Sequence, residues 1–132
     1  AAVRRGVIIA IASHHQPHEV DAKQDPFAAT EPGISSIELL LPLAMSLVQE
    51  GVLDLPAAIE RLTSGPARAM RLGAGSLSIG ARADLVLFDP DGQTVAGDNW
   101  LSRGGNCPFI GHCLPGRVRY TMLNGRISFR LD

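Results

Sequence analysis

Three of the chain's four histidines fall within five positions, in the stretch Ser13-His14-His15-Gln16-Pro17-His18-Glu19. Imidazoles gathered so closely can ligate a metal, move a proton or hold an anion. His14 and His18 are four apart, the spacing at which a helix presents two zinc ligands on one face. Pro17 stands between them and opposes a helix there, so the spacing by itself does not make a ligand pair. A second group, Cys107, His112 and Cys113, has the residue types of a structural zinc site. Its C-x5-C spacing is not that of a usual zinc knuckle, and only the number of ligands speaks for it. Arg117, Arg119, Arg126 and Arg130 alternate along two strand-like segments. That pattern reads as the wet face of a sheet rather than as a binding patch.

The histidines are placed by what precedes them. Val7-Ile8-Ile9-Ala10-Ile11 is a short, wholly apolar, β-branched run, which predicts a strand Val7–Ala12 buried on both faces, as in parallel sheets and barrels. Polar residues just past the C-terminal end of such a strand are where α/β folds keep their chemistry. A strand of that kind needs parallel neighbours, and no second such run follows. The chain also starts without methionine. The expectation is a C-terminal piece of a larger protein.

Residues 1–5 read as a helix end closed by Gly6. Glu19–Gly33 is a long loop, of a length uncommon in a compact domain unless it is functional or disordered. Pro32-Gly33 within it reads equally as an ordinary turn. Ser35-Ser36-Ile37-Glu38 has the form of a capping box. Ile37, Leu40, Leu41, Ala44, Leu47 and Val48 then follow helical spacing, with Pro42 distorting the first turns and Gly51 ending the helix. Asp54 caps a second helix with Pro56 in its first turn and Ile59 and Leu62 facing inward. Gly65-Pro66 breaks the chain before a short third helix that runs to Leu72. Beyond Gly73 the pattern turns to short strands. Leu85–Phe88 is one, ended by Asp89-Pro90-Asp91-Gly92. Arg117–Leu123 and Arg126–Arg130 flank Asn124-Gly125, a strong hairpin signal. Val118, Tyr120 and Met122 should share one face, as should Ile127 and Phe129. Strand Leu85–Phe88 should pair with the hairpin.

At 132 residues the chain is long enough for one domain with a modest core. A net charge of −1 gives no footprint for nucleic acid or an anionic membrane. No apolar run reaches the roughly 18–20 residues of a transmembrane helix, and the opening residues do not form a signal peptide. Two cysteines make no disulfide framework, so a reduced, cytoplasmic setting is expected.

Ser13-His14-His15-Gln16-Pro17-His18 resembles the end of the last barrel strand in dihydroorotases of the amidohydrolase superfamily, where the pattern is Ser/Thr-Asp-His-x-Pro-His. Pro66-Ala67-Arg68-Ala69, Gly73, Ile79-Gly80 and Ala83-Asp84-Leu85-Val86 resemble the superfamily's return from barrel to β-domain. Asn106-Cys107-Pro108-Phe109-Ile110-Gly111 is similar to a dihydroorotase motif Asn-x-Pro-Phe-x-Gly. The resemblance covers essentially the whole chain, as the last third of such an enzyme. It implies an α/β fold: the last strand and helices of a (β/α)8 amidohydrolase barrel in residues 1–72, then part of a small β-sandwich domain in residues 73–132. It implies hydrolysis of dihydroorotate in pyrimidine synthesis, dihydroorotate or carbamoyl aspartate as ligand, and a homo-oligomer. Zinc in that family is held by a His-x-His pair, a carboxylated lysine and two further histidines on earlier strands. None of these lies in this chain, so no cofactor is expected for the chain alone.

By the same resemblance His18 helps hold the substrate's carboxylate, while Pro32 and Gly33 lend it backbone groups. His14 takes the place of the family's proton-shuttling aspartate. An imidazole offers one acceptor nitrogen and no negative charge, where the reaction wants an anion. Two functions stay open: a catalytically impaired cyclic amidohydrolase, or a non-catalytic dihydroorotase homologue that serves as structural partner of aspartate transcarbamoylase. His15 reads best as a hydrogen-bonded structural histidine.

Overall fold

The computed structural model describes residues 2–98 and 100–131; Ala1, Asn99 and Asp132 lie outside the described residues. Three helices come first and a three-stranded antiparallel sheet follows, in the order β1-β2-β3. Helix α1 spans Leu40–Gln49, α2 Leu55–Leu62 and α3 Ser64–Ala69. Strand β1 spans Leu85–Val95, β2 Cys113–Leu123 and β3 Arg126–Arg130. Helix α1 packs against β2 on one side and α2 on another, and α3 extends from α2. The core is small. Leu39, Ala96 and Cys107 are buried together, with Leu43, Trp100, Phe109 and Leu114 around them. No described helix is long and apolar enough to cross a membrane.

The run Val7–Ala12 makes no strand ladder. Val7 is 69 % exposed, Ile8 and Ile9 are also open, and Ile11 N–H donates to the Arg61 carbonyl at 2.9 Å. A both-faces-buried strand requires parallel partners, and among the described residues the run has none; the one isolated parallel bridge, His15 with Ile34, lies beyond it. The run is held from below instead. Gly65 lies so near it that an added Cβ would stand 2.0 Å from the Ile9 carbonyl oxygen. Gly65-Pro66 therefore does not break the chain. Both sit inside α3, where proline is tolerated in a first turn and glycine admits the neighbouring backbone. The helix ends at Ala69, short of Leu72.

Ser35-Ser36-Ile37-Glu38 makes no capping box: Ser36 forms no side-chain cap. The helix opens with a 3-10 turn, Ile37–Leu39, before α1, and Pro42 sits fully buried in the first α turn. Leu39 is its most buried residue, while Ile37, expected inside, is exposed. Asp54 caps α2 as expected, accepting from Ala57 N–H at 2.8 Å. The buried positions of α2 are Ala58 and Arg61, while Ile59 and Leu62 are half-buried. Glu60 lies between Arg61 and Arg68, and the Arg68 hydrogen bond first, then Arg61, holds its carboxyl below the usual glutamate value.

In the sheet, Asp89-Pro90-Asp91-Gly92 does not end β1. Asp89 pairs with Arg117 and Gln93 with Pro115, so the intervening residues bulge out and the strand resumes. Strand β2 likewise begins earlier than expected, at Cys113, because β1 continues long enough to pair with it. Asn124 and Gly125 both have positive φ, 50° and 77°, as a tight primed hairpin turn demands. Two irregularities upset the expected faces. One falls between the Leu87–Tyr120 and Phe88–Val118 pairs, and Val118 then lines the same cleft as Thr121. The other sets Phe129 beside Thr121 but Ile127 beside Met122, and Ile127 is exposed. The arginines are on wet positions; Arg119 pairs with Asp89 at 3.3 Å and Arg130 lies over the Tyr120 ring.

Candidate functional site

The histidine stretch and the end of the long loop meet. Gln16 N–H donates to the Ile34 carbonyl at 2.9 Å, beside the parallel bridge of His15 and Ile34. Gly33 has φ +93°, and a Cβ there would fall 2.1 Å from Gln16 Oε1. The loop can therefore lie flat against the turn only with glycine at this place. His14, His18, Pro32 and Gly33 are thus carried on two segments that run side by side. The rest of the loop is tied to itself. It holds a 3-10 turn, Val20–Lys23, Thr30 Oγ1 donates to the Asp25 carbonyl at 2.9 Å, and Lys23 donates to the Glu31 carbonyl.

Each histidine has its own surroundings. His14 is exposed, with φ +48°. This left-handed region is one that His, Asn and Asp enter more readily than most residues. His15 is half-buried, and its Nδ1 accepts from the backbone N–H of Ser36 at 3.0 Å and of Ile37 at 3.2 Å. It is spent on structure, and an Nδ1 that accepts leaves the ring's proton on Nε2. His18 is half-buried; its N–H donates to Asn106 Oδ1 at 2.9 Å and its carbonyl accepts from Gly105 N–H at 2.8 Å.

The three polar residues that open the helix, Ser35, Ser36 and Glu38, bond across the chain. Ser36 Oγ donates to the Ser13 carbonyl at 2.9 Å, and Ser35 Oγ lies 2.9 Å from Ser102 Oγ. The Glu38 carboxylate accepts from the N–H of Leu101 and of Ser102, the latter at 2.7 Å. Segment 101–106 is consequently the third wall of the site. Sequence reasoning valued Asn106 only as a motif letter, although its place in that motif was the signal available.

Cys107, His112 and Cys113 do not converge. Cys107 is in the core, Cys113 is exposed with its thiol 3.2 Å from Gln93 Oε1, and His112 lies edge-on to the Phe109 ring. Among the described residues no three His, Cys, Asp or Glu side chains group into a possible metal site.

A profile described as the Amidohydrolase family matches residues 43–129. The chain is similar to a dihydroorotase-like protein of Pseudomonas putida, 69 % identical over 127 residues, which is 96 % of this chain and 30 % of the relative. A dihydroorotase-like protein of Pseudomonas aeruginosa is 67 % identical over the same shares. The dihydroorotase of Geotalea daltonii is 36 % identical over 128 residues, again 96 % of this chain and 30 % of that protein. The chain thus spans about 30 % of the length of these curated relatives. In three dimensions it is similar to a D-hydantoinase, with a TM-score of 0.85 at 25 % identity over 98 % of this chain and 30 % of that one. The L-hydantoinase (dihydropyrimidinase) of Arthrobacter aurescens gives 0.84 at 26 % identity, over 99 % and 32 %.

Proposed function

The chain belongs to the amidohydrolase family as a dihydroorotase-like member, and on that premise we propose that it forms the substrate side of a dihydroorotase-type site within a longer protein. Residues 1–72 supply the last barrel strand and its helices, and residues 73–132 the adjoining part of the β-domain. The reaction of that site adds water across the cyclic amide bond of dihydroorotate and yields carbamoyl aspartate. His18 takes the carboxylate, and Pro32 and Gly33 offer backbone groups beside it. The observation that carries this reading is the pairing of the two segments through Gln16 N–H and the Ile34 carbonyl, which brings these residues to one place.

Zinc would be held by residues outside this chain. What this chain contributes at the reacting centre is His14. It stands where the family pattern has an aspartate, and it brings no anion to receive the water's proton. On this reading the protein is an impaired hydrolase, and we propose that it works in the cytoplasm as a homo-oligomer.

A second reading has its own support. The relatives at 69 % and 67 % identity are named dihydroorotase-like proteins, while six named dihydroorotase stand between 35 % and 42 %. In that reading the protein is a non-catalytic homologue and a structural partner of aspartate transcarbamoylase.

One experiment separates them: dihydroorotate turnover by protein of its relatives' full length, with zinc supplied, wild type beside His14→Asp. The backbone at residue 14 accepts aspartate without new strain. An impaired hydrolase that keeps its upstream ligands gains about 10²–10⁴-fold from the restored general base. A scaffold protein shows no turnover in either form. Turnover by the wild type at an ordinary enzymatic rate overturns both readings of His14.

A further inference from the structure

We infer that Asn106 is a positioning residue that sets His18 and Gly33 at a fixed spacing for a carboxylate-bearing ligand. Asn106 is 5 % exposed and spends its whole amide across two other segments. Its Oδ1 accepts from His18 N–H at 2.9 Å. Its Nδ2 donates to the Gln16 carbonyl at 2.9 Å and to the Gly33 carbonyl at 3.3 Å. One side chain, 88 residues away from His18 in sequence, thus clamps the turn that carries the histidine to the loop that carries the glycine.

The neighbouring glycines show that the clamp is inlaid rather than laid over the surface. A Cβ on Gly104 would meet Pro17 Cβ at 2.6 Å and Ser35 Oγ at 2.8 Å, and one on Gly105 would meet Val20 Cγ2 at 2.5 Å. Gly105 N–H adds a further bond to the His18 carbonyl, so both backbone groups of His18 are held by this segment. An amide is the group this place requires, because one oxygen must accept while one nitrogen donates twice. Aspartate fills the same volume but donates nothing, and it would set a carboxylate against two carbonyl oxygens. Alanine leaves one half-buried donor and two acceptors without this partner.

The inference rests on the reading that His18 and Gly33 contact the ligand, and its test separates the two. Protein of full length is compared as wild type, Asn106→Asp and Asn106→Ala. Amide hydrogen exchange is followed in peptides covering residues 14–20 and 31–36, with the hairpin 113–130 as internal reference. Binding of carbamoyl aspartate is measured on the same samples. Both variants should exchange faster in the two site peptides while the hairpin keeps its protection. Their affinity for carbamoyl aspartate should fall by about 10-fold, the scale of one lost hydrogen bond. Unchanged exchange in both site peptides overturns the clamp. Equal loss of protection in the hairpin overturns it too, by showing a merely structural role. Faster exchange with undiminished affinity retains the clamp but refutes its role in ligand positioning. A wild type that does not bind carbamoyl aspartate, together with faster exchange in the variants, refutes the ligand reading and leaves the clamp standing.

Discussion

The ring of His15 closes the start of the helical segment that begins twenty-one residues later: its Nδ1 accepts from Ser36 N–H at 3.0 Å and shares Ile37 N–H at 3.2 Å. The first N–H groups of a helix lack partners within it, and Ser36 does not cap them itself; its hydroxyl donates to the Ser13 carbonyl instead. The histidine stretch and the helix are therefore one unit. His15→Ala should cost about 1–2 kcal/mol, the usual loss for a helix cap. His15→Asn, whose amide oxygen can accept, should recover part of it. Thermal melts of the three proteins check the order.

Among the described glycines of residues 2–66, Gly65 is the one whose added Cβ would come nearest another stretch of backbone. With a Cβ it would stand 2.0 Å from Ile9 O and 2.8 Å from Glu60 O, both backbone atoms that cannot swing aside. Gly65→Ala should destabilise by about 3 kcal/mol, the upper end for overpacking, and should displace the run that leads to His14. Gly73→Ala meets nothing within 4 Å and should stay within about 0.5 kcal/mol of the wild type. Chemical denaturation of the pair measures both.

Asp84 anchors the hairpin turn from outside it. Its Oδ1 accepts from Asn124 N–H at 2.8 Å, and its other oxygen pairs with Arg82. The Asn124 bond first, and Arg82 after it, lower its pKa from the ordinary aspartate value. A lowered carboxylate pKa stabilises the folded state above the unfolded value, about pH 4, and that contribution is lost as pH falls through the folded value. Asp84→Ala should therefore melt below the wild type at neutral pH, with the gap closing under about pH 4. Melting curves between pH 7 and pH 2.5 test the sign. A gap that widens on acidification would contradict it.

The sequence by itself determined what local chemistry decides. Asn124-Gly125 had to turn, since both residues tolerate positive φ and strand-like segments flank them. Asp54 had to cap, since its carboxylate lies three residues before Ala57 N–H. The dihydroorotase-like resemblance was legible in Ser13–His18 and Asn106–Gly111, because motif residues keep their order along the chain. Tertiary structure decided the rest. The capping box failed because Ser35, Ser36 and Glu38 found partners in Ser102, Ser13 and the 101–102 backbone. The strand faces failed because a single bulge reverses every alternation beyond it. Asn106 stayed a motif letter until folding brought His18, Gln16 and Gly33 within reach of one amide. Hydrogen bonds across 88 residues leave no periodicity in the chain, so only the folded backbone could show what they hold.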